Sequence, residues 1–378
     1  MNATRKKTLT SVIHNNLGLS IIDHTSSIII SNMGTSLISH TINITNAFNS
    51  QYKSYITDLN MRRLEVENTV RNNLSIDPSY KGSRNDAISL AWDYEKADII
   101  MGGSGSKITG WTKSEMKQIR INGKIEGVEG HHINNVANHK EMQGNPDNIR
   151  FFKTRDDHVN IGHNGDTNNE SHGELIDKNR MLKQTNNKRV LRNELKGLGM
   201  AIALGVGIGF TLSFIAELAQ NGTSVDNVLF SLKEASIYGL ESGLISAVVY
   251  GVGRTTSLTL STIGVDITGR IGSSINLGLI GISSIVLVGA FLYYKLRKNG
   301  FKHEKALEEV YCQSLFPIAL LAGSIVVQGI YGGASGLIVS TGVGMIYFGF
   351  NIYRIIKDRL MYEKYKIITI EEYREIVF

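Results

Sequence analysis

Two adjacent histidines, His131 and His132, follow Glu129 and Gly130; Asn148 comes sixteen residues after His132, and His158 and His163 come ten and fifteen residues after Asn148. Imidazole at neutral pH is both a borderline-soft metal ligand and a base whose pKa lies near ambient. One residue type can therefore supply a cage for a divalent ion and an acceptor for a proton from water, which is the equipment of metal-assisted hydrolysis. If the residues up to Ile133 form a strand, His131 and His132 point to opposite faces and cannot easily share one ion. One then faces the metal while its neighbour is free to deprotonate water. Glu129 falls on the face of His131, as an outer electrostatic partner.

The elements that position these residues follow from local signals. Residues 138–148 are dense in turn formers and read as a loop ending at Asn148. Ile149-Arg150-Phe151-Phe152 reads as a second strand, and Thr154 followed by Asp156 and Asp157 as a capped helix start, with His158 on that helix and His163 just past Gly162. Thr112-Lys113-Ser114-Glu115 is a capping box that opens a helix through Ile121, ahead of the first strand. His139 lies inside the loop and reads as a packing or exposed histidine.

Strand, loop, strand and helix carrying His-His, Asn and His resemble the HNH (ββα-metal) nucleases. More narrowly, Glu-Gly-His-His-Ile-Asn with Gly-Asn-Pro-Asp-Asn-Ile-Arg-Phe is similar to the Gly-His-His branch found in bacterial toxin nucleases, and the resemblance covers roughly positions 110–175. It implies His132 as general base, His131 and His158 as metal ligands, His163 as a third ligand and Asn148 as the residue that orients the base and pins the loop. Glu129 occupies the acidic position before the pair. The chemistry implied is phosphodiester hydrolysis with one divalent ion, Mg²⁺, Mn²⁺, Zn²⁺ or Ni²⁺. One spacing departs from the family: His158 and His163 are five residues apart, where the family's last two histidines are usually four apart on one helix face. A helix turns by about 100° per residue, so five steps match faces poorly. Either the helix has unwound at Gly162, or the third ligand is water, His172 or Asp166.

The 378 residues blend a polar, Asn-rich half with a long apolar one, at a net charge of +6. The single cysteine, Cys312, lies in an apolar run and reads as an inert buried thiol in a reducing compartment. No signal-peptide pattern opens the chain, so its first part is expected in the cytosol. Residues 8–70 repeat apolar positions at threes and fours, as one or two amphipathic helices. Gly102-Gly103-Ser104-Gly105-Ser106 reads as a flexible spacer. A basic run from Lys178 to Lys196 suits either nucleic-acid phosphates or the cytosolic edge of a membrane span, and the second reading is preferred.

Gly197–Ala216 and Ile271–Tyr294 carry no charge, and Tyr311–Tyr353 is long enough for two spans joined near Gly332. A shorter segment, Gly239–Gly253, is a doubtful fifth span, and Glu217 and Glu241 are expected at span edges. The basic clusters Lys295–Lys305 and Arg354–Lys366 assign both of those loops to the cytosol, so an even number of crossings separates them from a cytosolic nuclease. Small residues recur every four positions at Gly197-Ala201-Gly205-Gly209-Ser213, Gly239-Gly243-Ala247-Gly251 and Gly332-Gly336-Ser340-Gly344. Such ridges let membrane helices approach closely, within one bundle or in a homo-oligomer.

The expected fold class is α+β: a ββα-metal HNH nuclease domain with N-terminal helices and a C-terminal all-α transmembrane bundle. The expected divisions are an amphipathic helical region 1–80, a linker 81–110, the nuclease domain 111–196, the transmembrane domain 197–353 and a cytosolic tail 354–378. The expected function is a metal-dependent endonuclease cutting DNA at the bacterial cytoplasmic membrane, in phage defence or as a toxin-type effector, with nucleic acid and the lipid bilayer as partners. The alternative is a membrane bundle, pore or sensor, whose histidine cluster is a structural or signalling metal site.

Overall fold

The computed structural model describes residues 9–166, 173–267, 269–332 and 335–377, and the side chains of residue 34 and of those from 36 to 365 within these ranges. Helices α1 (Leu9–Ile76), α2 (Arg84–Ile100) and α3 (Lys113–Asn122) precede an antiparallel hairpin of β1 (Glu129–His132) and β2 (Ile149–Phe152). A short α4 (Arg155–Asp157) follows, then α5 (Lys178–Asn221), α6 (Val225–Thr262), α7 (Arg270–Lys298), α8 (His303–Tyr331) and α9 (Ser335–Val377). Contacts divide the chain into Asn43–Glu194 and the described parts of Met1–Ile42 with Leu195–Phe378. The architecture is the expected one, mostly helical with one two-stranded sheet.

In the 43–194 unit the hairpin is held by aromatic packing. Phe151 of β2 stacks on Trp92 of α2 at 4.0 Å between ring centroids, and Trp111 lies 5.5 Å from Trp92. Ala87, Ala91, Ile99, Ile119 and Ile149 close this core around them. A second cluster joins Leu59 of α1, Leu90, Tyr94 and Ala97 of α2 and Leu182 of α5. The latter half of α1 thus belongs to the body that holds the hairpin and is not a separate helical region. The capping box is present as expected: Thr112 Oγ1 accepts from Glu115 N at 3.3 Å, and Glu115 accepts from Thr112 N at 2.6 Å.

The stretch expected as a linker over 81–110 is instead a buried structural element. Nine residues of α2 are buried, among them Glu95 and Asp98. These two carboxylates hold the glycine-rich turn that follows. Asp98 Oδ2 accepts from Gly105 N at 2.8 Å, and Glu95 Oε2 accepts from Ser106 N at 2.7 Å and from Trp111 Nε1 at 2.8 Å. Gly105 (φ 69°) leaves no space for a side chain, since a Cβ there would lie 2.2 Å from Glu95 Oε2. Gly102–Ser106 is therefore an anchored turn and not a flexible spacer.

Among the described residues, five helices are long and apolar enough to cross a membrane: Lys178–Asn221, which begins in the 43–194 unit, and Val225–Thr262, Arg270–Lys298, His303–Tyr331 and the Ser335–Tyr365 part of α9 in the other. The doubtful segment 239–253 and the Thr/Ser-rich stretch after it form a single helix, α6, so the count is five where four were expected with one in doubt. Large apolar side chains such as Leu244, Ile271, Val286, Ile338 and Ile346 face outward. Exposed apolar surface on that scale suits lipid contact.

The small-residue ridges are used within the chain. A Cβ at Gly205 would lie 2.1 Å from Ser246 Oγ, and one at Gly209 would lie 2.2 Å from Ser242 Oγ, so α5 and α6 meet with almost nothing between their backbones. On the third ridge Gly336 packs on the Ser324 carbonyl and donates its amide to Gln328 Oε1 at 2.9 Å. With their partners inside the chain, these ridges no longer argue for a homo-oligomer. Two smaller expectations also change. Cys312 is exposed, and Glu241 lies within α6, paired with Lys295 at 2.6 Å.

Candidate metal centre

The hairpin register sets the faces. Glu129 pairs with Phe152 and His131 with Arg150, while Gly130 pairs with Phe151 and His132 with Ile149. Successive side chains alternate, so Glu129, His131, Arg150 and Phe152 share one face, and His132 lies on the other with Ile149 and Phe151. His131 Nδ1 faces His158 Nε2 at 3.1 Å. His163 stands 4.6 Å from His131 and 4.9 Å from His158 between ring centroids. One ring nitrogen from each of the three lies within 4.8 Å of the others. Behind them Glu129 Oε2 hydrogen-bonds His158 Nδ1, while Arg155 holds the other carboxylate oxygen at 3.3 Å. The hydrogen bond to His158 keeps the Glu129 carboxyl below the usual carboxylate range. A carboxylate on the far nitrogen fixes the ring orientation and makes the near nitrogen a better ligand.

The five-residue spacing of His158 and His163 has a structural answer that neither sequence alternative offered. Residues His158–Gly162 form a π-helical turn, closed by a hydrogen bond from His163 N to His158 O at 3.1 Å. A π turn closes over five residues, so it returns His163 to the side of His158. Gly162 allows the close approach: a Cβ there would lie 3.0 Å from Phe152 Cε2 and 3.3 Å from His131 Cγ. Asp166 is not one of the three converging groups, and His172 lies outside the described residues.

His132 is 6 % exposed. Its Nε2 lies 3.1 Å from the Gln143 carbonyl, which can only accept, so Nε2 carries the proton and Nδ1 keeps its lone pair. Burial lowers the His132 imidazole to about 4. Burial, followed by the neighbouring histidines, lowers His131 to about 3, and burial also lowers His163. These rings are neutral at physiological pH, the form that binds a metal or accepts a proton.

Asn148 is fully buried and does not bond His132. Its Oδ1 accepts from Asn134 N at 2.8 Å and its Nδ2 donates to Asn134 O at 3.0 Å, so it staples the two ends of the loop between the strands. Sequence reasoning missed what holds the rest of that loop. Gln143, also fully buried, receives Ser83 N on Oε1 at 3.2 Å and donates from Nε2 to Tyr80 O and Lys140 O at 3.0 and 2.9 Å. Arg63 of α1 reaches Asp147 Oδ2 at 2.8 Å and Asn145 Oδ1 at 3.1 Å. No local signal marks the pairs with Ser83, Tyr80 and Arg63, because each joins residues sixty or more positions apart. In the basic run, Lys178 is fully buried 3.9 Å from Glu95, and Arg189 bonds Phe48 O and Gln51, so neither is available to phosphates or headgroups. His139 stands beside Glu141 at 3.6 Å, away from the cluster.

Three imidazoles turned toward a common point, with a carboxylate behind one of them, fit a divalent ion, and His131, His158 and His163 could hold it. No solved structure matches this chain. Among curated proteins, Teneurin-3 of Mus musculus and of Danio rerio are each 28% identical over 71 residues, and Teneurin-1 of Mus musculus is 27% identical over 71 residues. Each match covers 19% of this chain but only 2%, 3% and 2% of those proteins. Residues 79–153, from the turn before α2 to the end of the hairpin, match the family described as the GHH signature containing HNH/Endo VII superfamily nuclease toxin.

Proposed function

We propose that this chain is a membrane-anchored, metal-dependent HNH-type endonuclease that hydrolyses phosphodiester bonds of DNA. The observation that carries the reading is the division of labour across β1. His131 turns to His158 and His163, while His132 turns to the opposite face with its Nε2 tethered and its Nδ1 open. The ion, when bound, supplies Lewis-acid polarisation of the phosphoryl oxygen and stabilises the leaving oxygen. His131, His158 and His163 hold it, and Glu129 keeps the His158 ring aimed. His132 Nδ1 takes the proton from the attacking water, and the Gln143 carbonyl stabilises the charge that this places on the ring. Asn148 acts at a distance, by fixing the loop that carries Gln143.

The match to a nuclease toxin family favours a destructive role, and the membrane helices favour action against incoming DNA at the bacterial cytoplasmic membrane. The test is nicking of supercoiled plasmid by the full chain in nanodiscs, with Mg²⁺, Mn²⁺, Zn²⁺ or Ni²⁺ supplied singly. Nicking is expected with at least one ion and is abolished by a chelator. Conversion that persists unchanged in the chelator rejects the metal mechanism.

We place the 43–194 unit in the cytosol, with the basic loops at Lys295–Lys305 and beyond Arg354 on the same side. This requires an even number of crossings after residue 194, one fewer than the five candidate helices would give. In a Cys312→Ser background, Asn299→Cys in intact cells is then protected from an impermeant maleimide and is labelled only after the membrane is opened. Labelling in intact cells means five crossings and puts this loop and the nuclease on opposite faces.

A further inference from the structure

Two arginines beside the histidine cluster have no counter-charge among the described residues. Arg150 lies directly across the hairpin from His131 and shares its face. Its guanidinium stands 4.7 Å over the Phe152 ring, which itself stacks 5.7 Å from His158. Its Nε is buried without a hydrogen-bond partner among the described residues. Arg84 opens α2, where the helix dipole disfavours a cation, and no described residue offers it an ion pair or hydrogen bond. Two connections place it at the site. The preceding residue, Ser83, donates to Gln143, whose carbonyl holds His132. One turn along the same helix face, Ile88 packs on the backbone of Gly130, between Glu129 and His131. The Arg84 charge is also near enough to disfavour protonation of both His132 and His163. By contrast Arg155, Arg63 and Lys153 are each paired with a carboxylate.

An exposed cation at a helix end that disfavours it, and another with a buried, unmet N–H, are both positioned to gain from an anion that completes them. Guanidinium suits phosphate because its planar fork donates two hydrogen bonds at once. We propose that Arg84 and Arg150 form a two-point clamp that grips backbone phosphates of a nucleic acid beside the histidine cluster. The proposal deepens the nuclease reading and rests on it for the identity of the polyanion.

The experiment is fluorescence-anisotropy titration of a short DNA duplex with the full chain in nanodiscs, in chelator so that nothing is cut, over a range of salt concentrations. Arg84→Gln and Arg150→Gln are each expected to lower the slope of log affinity against log salt by about 0.9 and to weaken binding roughly tenfold at low salt. Arg84→Lys and Arg150→Lys keep the charge and retain most of the slope. Lys153→Gln, whose charge is already met by Glu115, leaves it unchanged. Trp92 and Trp111, the two tryptophans of the chain, report whether each variant keeps its fold. An unchanged slope in folded Arg84→Gln and Arg150→Gln overturns the clamp, as does a loss at one arginine alone or an equal loss in Lys153→Gln. Displacement of the duplex by inorganic phosphate at equal phosphate concentration also overturns it, since that identifies a single-anion site. Nicking by the wild type with metal keeps the two ideas apart. Nicking without arginine-dependent binding removes the clamp alone, and arginine-dependent binding without nicking under any ion removes the nuclease reading alone.

Discussion

His132→Ala is expected to lower plasmid nicking by about 10²–10⁴-fold while divalent-ion binding stays within a few-fold of the wild type. The two effects separate because His132 and the ion-facing histidines lie on opposite faces of β1. His131→Ala, one residue away, removes a proposed ligand that stands 3.1 Å from His158 and should abolish both ion binding and nicking. Among polar contacts, the cost of His132→Ala to the fold is the Gln143 carbonyl, left buried without its donor, on the order of 1–3 kcal/mol. That is a local loss, because the Gln143 side chain still binds Ser83, Tyr80 and Lys140. Ion binding is read by isothermal titration and nicking by conversion of supercoiled plasmid, on the same preparations. Equal nicking by the wild type and His132→Ala eliminates His132 as the base. Parallel loss of ion binding in both variants means that His132 acts through the metal centre.

The hairpin and its flanks were legible because their signals are local. The Thr112 and Thr154 caps, the apolar run Ile149–Phe152 and the turn formers between the strands each act within a few residues, and each appears in the structure at the expected position. The metal-facing geometry was legible only in part. Alternation along β1 separates His131 from His132, but the return of His163 depends on a π turn, and helical periodicity at about 100° per residue contains no such option.

Helix α2 was missed for a different reason. Its buried residues include Leu90, Trp92, Tyr94 and Ala97 but also Glu95 and Asp98, and they wrap the helix instead of forming one stripe. A pattern search that expects charge to face water reads such a segment as a linker. The charges are buried because both bind the turn that follows and Glu95 also faces Lys178, none of which is visible in the local pattern. The glycine ridges show the same limit from the other side. Their spacing announced close helix contact, but the choice between a neighbour in the chain and a second copy needed Ser242 and Ser246 to be seen lying against Gly209 and Gly205.

The burial of Glu95 leads to the largest expected change in stability. Burial pushes the Glu95 carboxyl up and the Lys178 ammonium down, so both groups resist charging, and each is the other's largest charge partner. Glu95→Ala removes the acceptor for Ser106 N and Trp111 Nε1 and strands Lys178, which is fully buried. Breaking a buried pair from one side costs on the order of 3–5 kcal/mol. The double replacement Glu95→Gln with Lys178→Met keeps an acceptor for the turn, removes the stranded cation and fills its space, and should unfold within about 1 kcal/mol of the wild type. Such a difference between single and double variants is the signature of coupling and not of two independent losses. Trp92 stacks on Phe151 and Trp111 receives the Glu95 contact, so tryptophan fluorescence during urea unfolding reports this body alone. If Glu95→Ala shifts the transition by no more than a surface substitution, the acid is not what anchors Gly102–Ser106. If the double variant is as unstable as the single one, the loss belongs to the hydrogen bonds of the turn and not to the charge left on Lys178.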